Sequence, residues 1–373
     1  MSYDYYKQIV NDLLLQADVR LNGDRAWDIK VTHPKFYKRV LLDGSLGFGE
    51  AYMDGWFSCD RLDVCMEKIL DAHLDTHLRR NLKTLSYILF ARFFNLQSKK
   101  RSYIVGKRHY DVGNDLYAHM LDHRMVYTCG YWKDAKTLDE AQEDKLELVC
   151  KKIGLKKGMT LLDIGCGWGS FVEYAARKYG VRCVGITISK EQVTLAKERC
   201  KGLPVEIRLQ DYRDVNEKFD RIISLGMFEH VGSRNYRTYM EVVHRLLRDD
   251  GLFLLHTIGG NHSVFLTDPW IHTYIFPNSQ IPSVNQVARA SEGLFVMEDW
   301  HNFGPDYDKT LMSWHSRFKK SWPKLKEKYD DCFFRMWEYY LLVCAASFRA
   351  RRNQLWQIVF SKKGVKGGYQ SIR

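Results

Sequence analysis

From Met159 to Gly260 the sequence alternates between short apolar runs and amphipathic ones. "MTLLDIG" reads as a strand, "SFVEYAARKYG" as a helix ending on glycine, "RCVGITI" as a strand and "SKEQVTLAKERCKG" as a helix. "VEIRLQD" and "FDRIISLGMF" follow as strands, "YRTYMEVVHRLLRDDG" as a helix and "LFLLHTI" as a strand. Regular alternation of this kind predicts an α/β fold, a parallel, doubly wound sheet with helices on both faces. Ligands of such sheets bind at the carboxyl ends of the strands. Glu229 and His230 follow "RIISLGMF", and His256 closes "GLFLL". An acid and an imidazole at strand ends either cap a loop or take part in a reaction.

The flanks read differently. "YYKQIVNDLLLQADV" and "RLDVCMEKILDAHLDTHLRRNLKTLSYILFARFFN" carry apolar residues at three- and four-residue spacing, which predicts a mainly helical N-terminal domain over residues 1–100. Between them, the glycines of "LLDGSLGFGEAYMDGWFSCD" are expected to break any long helix. "LQSKKRSYIVGKRHYD" reads as a basic linker, which divides the chain into 1–100, a linker segment over 101–135 and a further domain over 136–373. Beyond residue 260 the expectation is loops mixed with long helices, ending on a strand, "LWQIVFSKK". A length of 373 residues suits one large or two medium domains.

Nine cysteines, odd in number and without a CxxC pair, read as reduced thiols and not as a disulfide framework or a zinc site. No run of 18 apolar residues occurs, and the opening residues lack the layout of a signal peptide. The expectation is a cytoplasmic protein that visits a membrane surface. The net charge is +12, and from His315 onward 14 Lys and Arg face 4 Asp and Glu. Such an end is a solvated basic face, or it meets anionic lipid or nucleic acid; no nucleic-acid-binding module is evident, so nucleic acid is not expected as a partner.

"DIGCGWGS" closes the first strand of the alternation and opens its first helix. Gly165, Gly167 and Gly169 permit a tight turn and close backbone approach to a ligand. The spacing is G-x-G-x-G, and an acid, Asp163, precedes the first glycine. That carboxylate would repel a pyrophosphate and suits a cationic amino-acid moiety, as in S-adenosylmethionine. The second strand ends without the acid that often holds a ribose; Thr187, Ser189 and Gln192 stand there instead. After the third strand, Asp211 and Tyr212 are placed to meet an adenine amino group and its ring face.

Ten stretches, in order, then resemble the cyclopropane-fatty-acyl-phospholipid synthases over nearly the whole chain: "GSLGFGEAYMDGW", "FNLQSKKR", "HYDVGNDLY", "YTCGYW", "LLDIGCGWGS", "GMFEHVG", "LLHTIG", "DPWIHTYIFPN", "MEDWHNFGPDYDKTL" and "SFRARRNQLWQ". The resemblance implies methyl transfer from S-adenosylmethionine to a cis double bond in an acyl chain of a membrane phospholipid, with ring closure after loss of a proton to a bound bicarbonate. It also implies that Glu229 and His256 hold the bicarbonate with Tyr307, Cys129 and the backbone of Ile258. Tyr127, Thr128, Cys166 and Gln210 complete the candidate cofactor set.

An alkene is a poor nucleophile, so positioning must supply much of the rate. The cation that forms needs a dry pocket and aromatic faces; Tyr131, Trp132, Trp168, Phe228, Phe276 and Tyr307 are candidates. From its neighbours alone, "PDYDK", Tyr307 reads as a surface residue. Cys344 lies in an apolar helix, where a cysteine is usually a small buried hydrophobe; the family treats this position as part of the site, yet the reaction needs no thiol nucleophile. The N-terminal helices and basic end fit a lipid-binding protein peripheral on the inner face of the cytoplasmic membrane, and equally the interface of a homodimer. The competing readings are a fatty-acid methyltransferase giving a methyl- or methylene-branched chain, an RNA or metabolite methyltransferase, and a non-catalytic membrane-bound sensor of S-adenosylmethionine.

Overall fold

The computed structural model describes residues 3–74, 113–264 and 267–373. The helix expected to run on beyond residue 74 and the basic linker of residues 96–111 lie outside the described residues. In chain order come α1 (Tyr3–Gln16), β1 (Lys30–Val31), α2 (Phe36–Met53), β2 (Phe57–Ser58), α3 (Leu62–Asp71), α4 (Asn114–Met120) and α5 (Leu138–Lys152). Next are β3 (Thr160–Ile164), α6 (Ser170–Tyr179), β4 (Arg182–Thr187), α7 (Lys190–Arg199), β5 (Val205–Leu209), β6 (Phe219–Leu225), α8 (Tyr236–Leu246) and β7 (Leu247–Gly260). The chain continues with α9 (Pro269–Tyr274), α10 (Val284–Ser291), β8 (Val296–Asn302), α11 (Pro305–Leu325), α12 (Asp331–Arg349) and β9 (Asn353–Ser361).

The residues gather into two compact units, neither contiguous in sequence: 1–94 with 265–277 and 307–353, and 95–264 with 278–306 and 354–373. In the first, α12 packs on α2 and α3, around rings such as Phe36, Phe48, Phe57 and Tyr339. The break expected among the glycines of α2 falls at Gly44 (φ 58, ψ −131), which leaves helical geometry and kinks the helix. Gly49 continues the helix and lies against the indole of Trp270, where a side chain would collide. Close approach, and not chain reversal, is its use. Glu338 accepts from Tyr52 Oη at 2.7 Å, with His315 Nε2 at 3.1 Å and Lys319 Nζ at 3.6 Å, so this buried carboxylate is held by three partners.

The second unit is built on a seven-stranded sheet of order β5-β4-β3-β6-β7-β9-β8. Strands β3 to β7 pair in parallel, and β8 pairs antiparallel with β9. The chain leaves β3 to one side and returns to its other side at β6, which opens a crevice at their carboxyl ends. Side chains alternate across a strand, and here both faces are covered. Leu162, Phe253 and Ile358 join a core with α8 and α10, whereas Leu161, Leu254 and Val359 join one with α5, α6 and α7. Strands buried on both faces need unbroken apolar runs, which is why these segments stand out in the sequence.

Two boundaries differ from expectation. The helix "YRTYMEVVHRLLRDDG" ends at Leu246, and β7 begins at Leu247, because Leu247 pairs with Phe219 in the sheet. Strand β8, "VMEDWHN", was not anticipated; it is an outer strand with a polar, half-exposed pattern and a register shift near Asp299. The last strand lies where expected, at β9.

Helix α5 starts on a capping box: Thr137 Oγ1 accepts from the Glu140 N–H and Glu140 Oε2 from the Thr137 N–H, both at 3.2 Å. Replacing Thr137 by Ala is expected to cost about 1 kcal/mol, read as a lower urea midpoint at unchanged slope.

Candidate active site

The glycine loop follows β3. Gly165 (φ 89), Gly167 (φ 54) and Gly169 (φ 80) all take left-handed conformations, which glycine adopts without strain. A side chain at Gly165 would meet Met227 Cβ at 2.8 Å, whereas nothing described lies within 4 Å of one at Gly167. Beneath the loop Asp163 is buried, and its Oδ1 has no hydrogen-bond partner among the described residues. Burial pushes its carboxyl up to about 7, against the pull of Lys145. An unspent acceptor of this kind is satisfied by a cationic group.

The other expected cofactor residues rim the same crevice. Thr187 Oγ1 donates to Gln192 Oε1 at 2.7 Å, and Ser189 caps α7. Asp211 accepts from Arg213 Nε at 2.8 Å and Nη2 at 2.7 Å, so its oxygens are already shared. Tyr212 is buried edge-on to Tyr239. Gln210 Nε2 donates to the Asp214 carbonyl at 3.0 Å. Cys166 is buried, and burial holds its thiol well above the ordinary range; its backbone N–H bonds Ile186 O at 3.0 Å.

The segment Tyr127–Trp132 is fastened by two residues of α5 that sequence reasoning missed. Gln142 Nε2 donates to Thr128 O at 2.8 Å, and Lys145 Nζ to Thr128 Oγ1 at 2.7 Å. Lys145 is fully buried, and burial lowers its ammonium to about 8. A lysine at helical spacing among apolar residues is ordinarily read as snorkelling to water; only its buried hydroxyl partner reveals otherwise. Gly226, at φ 70, lets Thr128 pack on the end of β6, since a side chain there would meet Thr128 Cγ2 at 2.7 Å. Tyr127 sets its ring against Tyr117. Cys129 is fully buried, and its thiol donates to Gly130 O at 3.1 Å.

Glu229 sits in a short turn, Phe228–His230, that follows β6. Its Oε1 accepts the Ile258 N–H at 2.6 Å, whereas Oε2 has no hydrogen-bond partner among the described residues. Burial pushes its carboxyl up to about 7, against the backbone N–H groups of Ile258 and Glu229 itself and the Thr257 hydroxyl. His256 pairs with Leu225 across β6 and β7 and is 1% exposed. Gln357 Nε2 lies 3.3 Å from its Nδ1, while its Nε2 is buried without a partner among the described residues. Burial, and then the charges of Lys145 and Lys152, hold His256 well below the ordinary imidazole range. Phe303 presents its ring edge-on to His256 at 6.0 Å and to Tyr131 at 5.4 Å. His230 is lowered to about 4 by burial alone. Two buried groups, each with one unsatisfied atom, therefore stand at the ends of neighbouring strands, in surroundings that exclude water.

The remaining candidates are dispersed. Phe228 is fully buried and stacks on Tyr236 at 4.3 Å, as a core ring does. Trp168 donates from Nε1 to Asn114 Oδ1 at 3.0 Å, and the Trp132 N–H donates to Asp306 Oδ2 at 2.8 Å. Tyr307, Phe276 and Cys344 belong to the first compact unit. The surface reading of Tyr307 is corrected: it lies in α11, 9% exposed, with Phe348 at 4.6 Å and Trp314 at 6.0 Å. Of its charged neighbours Lys309 is exposed, whereas Asp306 accepts the Trp132 N–H and Asp308 pairs with Arg349. Phe276 meets Tyr340 edge-on. Burial pushes the Cys344 thiol up to about 12, so at neutral pH it is not a thiolate nucleophile.

Residues 97–358 match the family model for mycolic acid cyclopropane synthetase. The chain is 56% identical over 370 residues to a cyclopropane-fatty-acyl-phospholipid synthase of Escherichia coli, covering 99% of this chain and 97% of that one. Among solved structures, the cyclopropane synthase MmaA2 from Mycobacterium tuberculosis aligns with a TM-score of 0.67 at 30% identity, over 72% of this chain and 100% of the other. The mycolic acid cyclopropane synthase CmaA1 complexed with SAH and CTAB aligns with a TM-score of 0.65 at 32% identity, over 70% and 98%.

Proposed function

The chain belongs to the mycolic acid cyclopropane synthetase family of S-adenosylmethionine-dependent enzymes, and on that premise we propose which lipid it modifies and how. It transfers a methylene group from S-adenosylmethionine to the cis double bond of an unsaturated acyl chain in a membrane phospholipid. A cyclopropane ring closes with a bound bicarbonate as base. The substrate class rests on the likeness, over nearly the full length of both chains, to the Escherichia coli phospholipid synthase. The base rests on one observation: the buried pair Glu229 and His256, each with an unsatisfied atom.

The residues fit both groups. The unpartnered Asp163 Oδ1 and the open face over Gly167 suit a ligand with a cationic amino-acid end. A neutral His256 offers an N–H to an oxyanion, and Glu229 offers an acceptor to an acid O–H. When bound, S-adenosylmethionine supplies an electrophilic methyl group and bicarbonate a weak base.

The chain's own part is to orient and to exclude water. Lys145 and Gln142 fasten Thr128 and so fix the backbone of Cys129. Phe303 lies beside the ring of His256 and in turn against Tyr131, and such aromatic surroundings stabilise a developing carbocation where water is excluded. Glu229 Oε2, with a carboxyl near 7, takes or yields a proton close to neutral pH, as an acid–base partner should. Tyr307 is buried within its own unit, and Cys344 serves by packing there. The protein acts at an anionic lipid surface from the cytoplasmic side, as a homodimer; the surplus of basic residues after His315 supports the surface.

The test is mass spectrometry of lipids. Purified protein is incubated with vesicles of cis-unsaturated phospholipid and methyl-labelled S-adenosylmethionine, with and without bicarbonate. The expected product carries a labelled CH₂ and has lost its double bond, with ring-proton NMR signals and a yield that depends on bicarbonate. A labelled methyl- or methylene-branched chain would replace this reading with that of a fatty-acid methyltransferase.

A further inference from the structure

His256 is neutral, and a neutral imidazole carries one proton. Which nitrogen holds it decides whether the unpartnered Nε2 can donate to an oxyanion or only accept. The site residues considered so far do not make that choice. We infer that Gln357 is a positioning residue that keeps the single proton of His256 on Nε2, so that the ring presents an N–H to the proposed anion site.

Several observations support the assignment. Gln357 is 0% exposed in β9, the strand beside β7. Along β7, Leu252 and Leu254 face the core under α5 and α6, and His256 is next on that face; along β9, Val359 faces it and Gln357 is two residues away. Strand alternation therefore brings both polar groups to one side of the sheet. With the Gln357 amide oriented so that Nε2 lies 3.3 Å from His256 Nδ1, the amide nitrogen donates, Nδ1 accepts and the proton falls on Nε2. Trp356, the preceding residue, lies flat on Gly259, where a side chain would collide with its indole; this pins β9 against β7 at the position of the pair. A buried glutamine between Trp356 and Ile358 costs stability unless it is used, and its amide carbonyl has no partner among the described residues. Lys145 and Lys152, both fully buried, supply positive charge around the ring; they reinforce the neutral state without selecting the tautomer.

The inference rests on the anion reading of the site, and its test separates the two. Full-length protein labelled with ¹⁵N-histidine is examined by long-range ¹H–¹⁵N correlation without bicarbonate, His256 being assigned by the signal lost in His256→Gln. The expected wild-type signal is the Nε2–H tautomer. Gln357→Glu places an acceptor opposite Nδ1 and should move the proton there, while Gln357→Leu should give a mixture. An Nδ1–H tautomer in the wild type, or an unmoved one in Gln357→Glu, overturns the assignment. If the glutamate variant does not fold, the wild-type and leucine spectra decide alone. In turnover, Gln357→Glu should raise the bicarbonate requirement at least tenfold more than Gln357→Leu does, with KM for S-adenosylmethionine unchanged. A switched tautomer with an unchanged bicarbonate requirement would leave Gln357 as the tautomer lock and sink the anion reading.

Discussion

Glu229→Gln and His256→Ala each lower kcat by roughly a thousandfold, the loss expected when one preorganised electrostatic partner is removed from a dry site. Both leave binding of S-adenosylhomocysteine near wild type, because the glycine loop is untouched. The glutamine keeps the shape of the side chain and replaces an ionisable oxygen with an N–H donor, so it imitates the protonated acid. The pH profile gives the sign. Burial raises the Glu229 carboxyl to about 7, so the ionised form that accepts an acid O–H grows in as pH rises through that value. Wild-type kcat should climb about tenfold per unit below pH 7 and level above it, and the Gln variant should be slow and flat. His256, held well below its ordinary range, contributes no limb between pH 6 and 9. Turnover of Glu229→Gln within threefold of wild type, with the acid limb intact, would remove Glu229 from the chemistry.

Gly165→Val is expected to abolish measurable cofactor binding in calorimetry with S-adenosylhomocysteine, a loss of at least about 100-fold, or roughly 3 kcal/mol. Two costs coincide there. A β-branched residue at φ 89 is strained, by about 1–3 kcal/mol, and its Cβ would meet Met227 Cβ at 2.8 Å. Met227 stands two residues before Glu229, so relief of the clash also moves the turn that carries the acid. Gly154→Ala is the control. Its φ is 56, with nothing within 4 Å of a side chain, so it pays in strain alone, about 1 kcal/mol, and keeps its affinity. Wild-type affinity in Gly165→Val would mean that the loop does not approach the ligand closely.

How much of this was readable beforehand follows from the kind of interaction involved. The doubly wound sheet was legible because strands covered on both faces must be apolar throughout, and that pattern is local. Asp163, the three glycines, Glu229 and His256 were legible because a parallel sheet fixes where strand ends lie. The break expected among the glycines falls at Gly44, but the use of Gly49 was not legible, since a glycine chosen for contact with a distant indole, that of Trp270, has the same one-letter signature as a turn. Tyr307 was misread as exposed because its neighbours are charged, although a helix turns adjacent residues to different faces.

The sequence by itself determined the alternation of elements, the strand-end placement of an acid and an imidazole, and a loop suited to a cationic ligand. Tertiary structure alone decided that Lys145 and Lys152 are buried, that α12 packs on α2 and α3, and that Gln357 meets His256 101 positions away. The division has a physical cause: periodicity and turn chemistry act between near neighbours in the chain. The protonation state and tautomer of a buried group are set by whichever atoms fold against it, and no local pattern records them.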